Sequence, residues 1–330
     1  MILVTGGAGF VGSNLVAALE ARGHGDIVIS DWLGNDDKWR NIAKREIRDI
    51  IKPENLISWL ETHGSGIEAI FHMGAISSTT ERDADLIVEN NFILSRRLWK
   101  WCAEKGARFI YASSAATYGM GECGFADDDA PDALEKLRPM NPYGWSKHAF
   151  DRRVSRIVHS GKKEPIPPQW AGLKFFNVYG PNEYHKKDQM SVACKLFPQA
   201  AAGAAAKLFE SHDVNYDDGG QIRDFIYVQD CVDVMLWLYD NPKVSGLFNV
   251  GTGKGRTFND LAHAVFGAIG KPAKISYIDM PQELQSRYQY YTQADMGKLR
   301  KAGYAKPFID LEEGVRRYIK DYMTQSDPYR

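Results

Sequence analysis

Tyr143 and Lys147 stand four residues apart in NPYGWSK, a spacing that puts both side chains on one face of a helix. An ammonium beside a phenol favours the phenolate, so the expected effect of Lys147 is a lowered Tyr143 pKa. A tyrosine tuned in this way takes the proton of an alcohol while the alcohol carbon gives up hydride. Because the sequence holds 16 tyrosines, the spacing alone is cheap, and its surroundings carry the argument. Upstream, YASSAATYG (111–119) closes a strand and offers Ser114 as a hydrogen-bond partner for the reacting oxygen. A second constellation comes directly after the first apolar run: TGGAGFVG, with Gly6, Gly9 and Gly12 three residues apart. Glycines let the chain turn sharply and approach a pyrophosphate, and the next helix offers free N–H groups. Asp31 ends the second apolar run, where a carboxylate accepts hydrogen bonds from the adenosine ribose. Taken alone it favours NAD, whereas Lys38, seven residues on, offers a partner for the 2′-phosphate of NADP; both readings stay open here. Asp49 ends a short segment, EIRD, placed against the adenine. Arg223 suits a diphosphate, since a guanidinium grips two oxygens at once, or else an ordinary salt bridge beside Asp224.

These residues need a scaffold, and the first half of the chain supplies an alternating one. ILVT (2–5), DIVIS (26–30), EAIF (68–71), RFIYA (108–112) and GLKFF (172–176) read as buried strands. Residues 10–22 and 84–105 carry apolar stripes at helical spacing. Strands joined by helices imply a parallel sheet, so the fold class is α/β, a doubly wound Rossmann-type sheet with a smaller, mixed α/β substrate unit. The expected division is 1–176 with 223–251 for the cofactor unit, and 177–222 with 252–330 for the substrate unit. FNVGTG (248–253) reads as a strand and turn, 257–269 as a helix capped by Thr257, 310–324 as another helix, and QAAAGAAAK (199–207) as a closely packed helix. GKKEPIPP (161–168) reads as a surface loop.

Composition narrows the classes. Hydrophobic residues make up 44% and charged residues 25%, a globular mix. With 41 Lys and Arg against 42 Asp and Glu the chain has no electrostatic claim on nucleic acid or an anionic membrane. No run approaches the ~18 apolar residues of a membrane helix, and MILVTGGAGF lacks the basic start of a signal peptide. Cys102, Cys123, Cys194 and Cys231 form no C-x-x-C pair, so free thiols in a cytoplasmic protein are expected. The eight histidines show no metal-ligand spacing, and no metal is expected.

Taken in order, TGGAGFVG, SSAATYG, NPYGWSK and FNVYGP (176–181) resemble the extended short-chain dehydrogenase/reductase family across nearly the whole chain. FHMGAISSTTERD (71–83), ENNF (89–92), NVYGPNEYHKKDQMSVA (177–193), KLFES (207–211), RDFIYVQDCVDV (223–234) and RYQYYTQADMGKLRKAGY (287–304) narrow the likeness to its nucleotide-sugar epimerases, in particular those acting at C6 of an ADP-heptose. The resemblance implies a redox epimerisation with tightly held NADP, NAD being possible. The alcohol is oxidised to a ketone, the ketone rotates, and hydride returns to its other face. By the same resemblance Tyr143 and Lys186 are the two acid/base groups, with Ser114 assisting and Lys147 supporting both Tyr143 and the cofactor ribose. Cofactor contacts come from Gly6, Gly9, Phe10, Val11 and Gly12, from Asp31, Trp32 and Lys38, from the strand end Met73, Gly74, Ala75, Ile76 and Ser77, and from Asn90, Lys147, Val178 and Lys186. Substrate contacts come from Asn177, Asp188, Lys195, Phe209, Glu210, Ser211, His212, Arg223 and Tyr288. The resemblance also implies a ring-like homo-oligomer, a pentamer. Two alternatives stand beside it: a UDP-sugar 4-epimerase relying on Tyr143 alone, and a non-catalytic NADP-binding protein.

Overall fold

A computed structural model describes residues 1–161, 164–285 and 288–330. Lys162 and Lys163 of the expected surface loop, and Arg287 of the RYQ motif, lie outside the described residues.

The apolar runs form the centre of the molecule. Strands β1 (Ile2–Thr5), β2 (Ile27–Ser30) and β4 (Ala69–His72) are buried along their whole length, as strands covered on both faces must be. With β3 (Asp49–Ile51), β5 (Arg108–Ser114), β6 (Trp170–Phe175) and β10 (Gly246–Val250) they make a seven-stranded sheet in the order β3-β2-β1-β4-β5-β6-β10. Every pairing in it is parallel. The strand order reverses between β1 and β4, and in open parallel sheets ligands bind beyond the strand C-termini at that reversal. A three-stranded sheet joins β7 (Asn177–Tyr179), β9 (Ile222–Tyr227) and β11 (Gly255–Thr257), and a two-stranded one joins β8 (Ala206–Phe209) and β12 (Ile275–Ile278). Two apolar cores result. The larger surrounds the seven-stranded sheet, and the smaller, around Leu196, Val265, Val315 and Tyr318, lies under the small sheets.

Some expectations shift. Asp49, the last residue of EIRD, opens edge strand β3, where its carboxylate accepts from the Trp59 indole at 2.9 Å. The helix expected at 199–207 is the end of Val192–Ala201; Gly203, at φ +76°, turns the chain and β8 begins at Ala206. The 84–105 helix is interrupted by a π-helical turn over Val88–Ile93. Thr257 caps the helix Phe258–Ala268 in a reciprocal box with Asp260, as its position suggested. The 310–324 helix starts at Leu311 behind an Asp310 cap. Among the described residues no helix is long and apolar enough to cross a membrane.

Candidate active site

Gly6 succeeds β1 at φ +64°, a conformation open to glycine. At Gly12 a Cβ would stand 2.1 Å from the Gly6 carbonyl oxygen, so only glycine lets the helix Phe10–Ala21 begin this close to the loop. Gly9 caps that helix without any side chain, leaving its first N–H groups facing the cleft. Asp31 fixes the loop from beneath: one carboxylate oxygen accepts the Ala8 N–H at 2.9 Å and the other pairs with the Lys38 ammonium at 2.6 Å. Lys38 also donates to the Trp32 carbonyl at 2.8 Å. This cradle, a glycine turn against a bare helix N-terminus with an acid at the second strand end, fits a dinucleotide.

A cleft of about 300 Å³ opens above it. It is lined by Gly6, Gly9, Phe10, Val11 and Gly12, by Asp31 and Lys38, by Met73, Gly74, Ala75 and Ser77, by Val178 and Lys186, and by Ser114, Tyr143 and Lys147. Trp32, Ile76 and Asn90 line an adjoining recess that shares Asp31, Lys38, Gly74 and Ser77. The structure thus brings together every residue expected at the cofactor and all four expected to be catalytic.

The placing of Tyr143 and Lys147 depends on how the helix Pro142–His159 starts. Asn141 caps it by accepting the Gly144 N–H at 2.8 Å, and Pro142 occupies the first turn, where its missing N–H does no harm. Any side chain at 144 would meet the Ala116 carbonyl oxygen at 2.7 Å, so Gly144 lets the helix abut the turn after Ser114. Ser114 and Tyr143 line the same cleft, and the Ser114 hydroxyl draws the phenol pKa down. One expectation is corrected here. Burial holds the Tyr143 phenol above its ordinary pKa, with the Ser114 hydrogen bond pulling the other way and the Asp151 charge adding to the rise. The protein by itself does not lower it; Lys147 is desolvated as well, burial pushing its ammonium down to about 8 against the pull of Asp151. Lys186 is likewise lowered by burial, opposed by Glu183. Its ammonium lies 5.3 Å over the Phe10 ring.

Sequence reasoning missed the residues that hold these groups still. Asn91, fully buried one place after Asn90, accepts the Ile76 N–H at 2.8 Å, donates to the Ile76 carbonyl at 3.0 Å and to Ser146 at 3.0 Å. Ser146 in turn donates to the Tyr143 carbonyl at 2.7 Å. Asp151 continues the Tyr143–Lys147 face by one more turn and accepts from Tyr111, Ser113 and Lys174 at 3.0, 2.7 and 2.9 Å. Its fourfold register with Tyr143 and Lys147 was a signal available in the sequence. Lys174 and Asp151 are both fully buried. Replacing Lys174 by Met is expected to destabilise the fold by about 3–5 kcal/mol in urea unfolding, since it strands a buried carboxylate. Adding Asp151→Asn should recover most of that loss.

The expected substrate residues form a less unified group, and none of them lines the cleft itself. Phe209, Arg223 and Tyr288 meet: the guanidinium lies 5.1 Å over the Tyr288 ring and 5.6 Å over Phe258, and Phe209 packs edge-on to Tyr288. Arg223 has no ion pair among the described residues, because Asp224 accepts instead from Thr252, Gly253 and Ala294. Asn177 is exposed at the start of β7, beside Val178. Lys195 donates to the Asp188 carbonyl at 2.7 Å. Glu210 and Ser211 continue from β8, while His212 turns away to Asp279 at 2.9 Å.

The sequence profile of the NAD dependent epimerase/dehydratase family matches residues 2–251, the glycine cradle and the helix Pro142–His159 included. The chain belongs to that family. As a member of the NAD dependent epimerase/dehydratases it uses a nicotinamide cofactor. A relative in Nitratidesulfovibrio vulgaris, named ADP-L-glycero-D-manno-heptose-6-epimerase, is 50% identical over 332 residues, covering 100% of both chains. The crystal structure of the Helicobacter pylori ADP-L-glycero-D-manno-heptose-6-epimerase superposes with a TM-score of 0.75 at 29% identity, over 97% of this chain and 95% of that one. A Thermus thermophilus UDP-glucose 4-epimerase in complex with NAD gives 0.73 at 25% identity, over 96% and 97%.

Proposed function

We propose that the protein inverts C6 of ADP-D-glycero-D-manno-heptose to give ADP-L-glycero-D-manno-heptose, a precursor of the lipopolysaccharide inner core, with NADP as cofactor. The observation that carries this reading is that Tyr143 and Lys186, on different elements, both line one cleft. Inverting a carbinol centre moves its oxygen between two positions, which one base does not easily serve within hydrogen-bond reach, and two bases on opposite sides do. A nicotinamide cofactor held by the glycine cradle, Asp31 and Lys147 would supply reversible hydride transfer at C6. Tyr143, steadied by Ser114 and Lys147, moves the alcohol proton on one side of the carbon. Lys186, whose ammonium is weakened by burial, moves it on the other. Lys38 favours NADP, since an ammonium at the ribose end offsets the repulsion of Asp31 for a 2′-phosphate. Arg223, a buried cation with no carboxylate partner among the described residues, is suited to the diphosphate.

In this reading residues 1–176 and 223–251 hold the cofactor and 177–222 with 252–330 hold the nucleotide sugar. A homopentamer is carried by the family resemblance, and a cytoplasmic setting agrees with four free cysteines. The test is incubation with ADP-D-glycero-D-manno-heptose and NMR of the product. The L-glycero epimer is expected, with no change to UDP-glucose under the same conditions. Conversion of UDP-glucose alone would move the assignment to a 4-epimerase.

A further inference from the structure

We infer that the segment Asp327–Arg330 is a positioning element of this site, locking the turn that carries Lys38 against the turn that carries Lys186. The inference rests on the roles given above to those two lysines. Neither lysine stands on the sheet or on a long helix. Lys38 belongs to the 3₁₀ turn Asp37–Ile42 and Lys186 to the 3₁₀ turn Tyr184–Gln189. Short turns of this kind have poor hydrogen-bond geometry and depend on what packs against them. The second turn is also strained: Asn182 and Lys187, on either side of Lys186, have φ of +73° and +49°. Such residues persist only where their surroundings hold them.

Two sets of contacts hold the turns together. From inside, Asn41 donates to the Ala8 carbonyl at 2.8 Å and the Asn182 carbonyl at 3.0 Å, and meets the His185 ring nitrogen at 3.2 Å. From outside, the joint is closed by residues 327–330. Tyr329 is almost buried, its ring under the Arg40 guanidinium at 4.5 Å and edge-on to Tyr184 at 5.3 Å. Lys44 donates to the Tyr329 carbonyl at 2.6 Å and pairs with Asp327 at 2.8 Å. Tyr184 donates to the Pro328 carbonyl at 3.1 Å. The Arg330 N–H donates to the Asn182 side chain at 2.9 Å, and its guanidinium to Asn14 of the glycine-loop helix at 3.2 Å. Arg40 lies in the first turn and Lys44 follows it, Tyr184 begins the second, and Asn182 precedes that one. No atom of 327–330 lines the cleft, so its effect on chemistry passes through Lys38 and Lys186.

The experiment compares Tyr329→Ala, Tyr329→Phe and Lys38→Ala in the full chain. It reads NADP and NAD dissociation constants, turnover at saturating cofactor, and the thermal midpoint. Tyr329→Ala is expected to lower turnover roughly ten- to a hundredfold, the effect of misplacing a reacting group by about an ångström. It should also narrow the preference for NADP over NAD towards that of Lys38→Ala. Tyr329→Phe, which keeps the ring, should restore both. A lowered thermal midpoint with wild-type turnover and preference overturns the inference. If Lys38→Ala weakens both cofactors equally, the phosphate role of Lys38 falls by itself, and the turnover of Tyr329→Ala against Tyr329→Phe then decides. If ADP-heptose is not turned over at all, the substrate reading falls and the cofactor preference decides. Should Tyr329→Ala not fold, Lys44→Met removes the bond to Tyr329 and the pair with Asp327, and the same two readouts support the inference by falling or overturn it by holding.

Discussion

Tyr143→Phe is expected to reduce epimerisation by about three orders of magnitude, within the range for loss of a positioned acid/base group. The substitution removes one oxygen and keeps the ring, so the half-buried pocket beside Ser114 stays filled. Cofactor affinity, which on the proposed reading depends on the glycine cradle and Asp31, should change less than threefold by titration. The phenol stands above its ordinary pKa in the protein alone. Burial lowers the Lys147 ammonium to about 8 as well. Turnover within tenfold of the parent enzyme would take Tyr143 out of the proton path and leave the cleft as a binding site.

Lys186→Met should be nearly as severe, about a hundred- to a thousandfold loss of the inverted product by NMR, with the thermal midpoint close to the parent value. Methionine retains much of the stem that passes over Phe10 while removing the proton carrier. Glu183 shapes the expected result. It accepts from the Ser191 backbone and hydroxyl and from Gly180, and so holds the turn whether or not Lys186 keeps its charge. A loss confined to inversion therefore reports chemistry. Wild-type rates would mean that a single group serves both faces of the carbon, and the heptose reading would lose its main support.

Much of this arrangement was legible from residue types and spacing, since strand runs and glycine turns act locally. ILVT with TGGAGFVG directly behind it fixes a strand, a tight turn and a helix start within a dozen residues, and the structure places all three there. What escaped the sequence reading depended on distance. Asn91 differs from Asn90 in nothing visible along the chain; the π-helical turn decides which of them points inward. The Tyr143 pKa was misjudged because i,i+4 spacing reports a neighbour's charge but not how far both groups are withdrawn from water. β3 was overlooked because an exposed edge strand of three residues has too little apolar pattern to register. Tyr329 carries no local signal, since its partners lie near residues 40 and 184.

The widened turn over Val88–Ile93 sets local regularity against alignment. Deleting one residue there would give a smoother helix, yet it would rotate the two halves of that helix by about 100° relative to each other. Asn91 would then swing off Ile76 and Ser146, and the backbone beside the cofactor would lose its link to the tyrosine helix. A chain selected for rigidity alone would tend to erase this irregularity; a chain selected for turnover has reason to keep it.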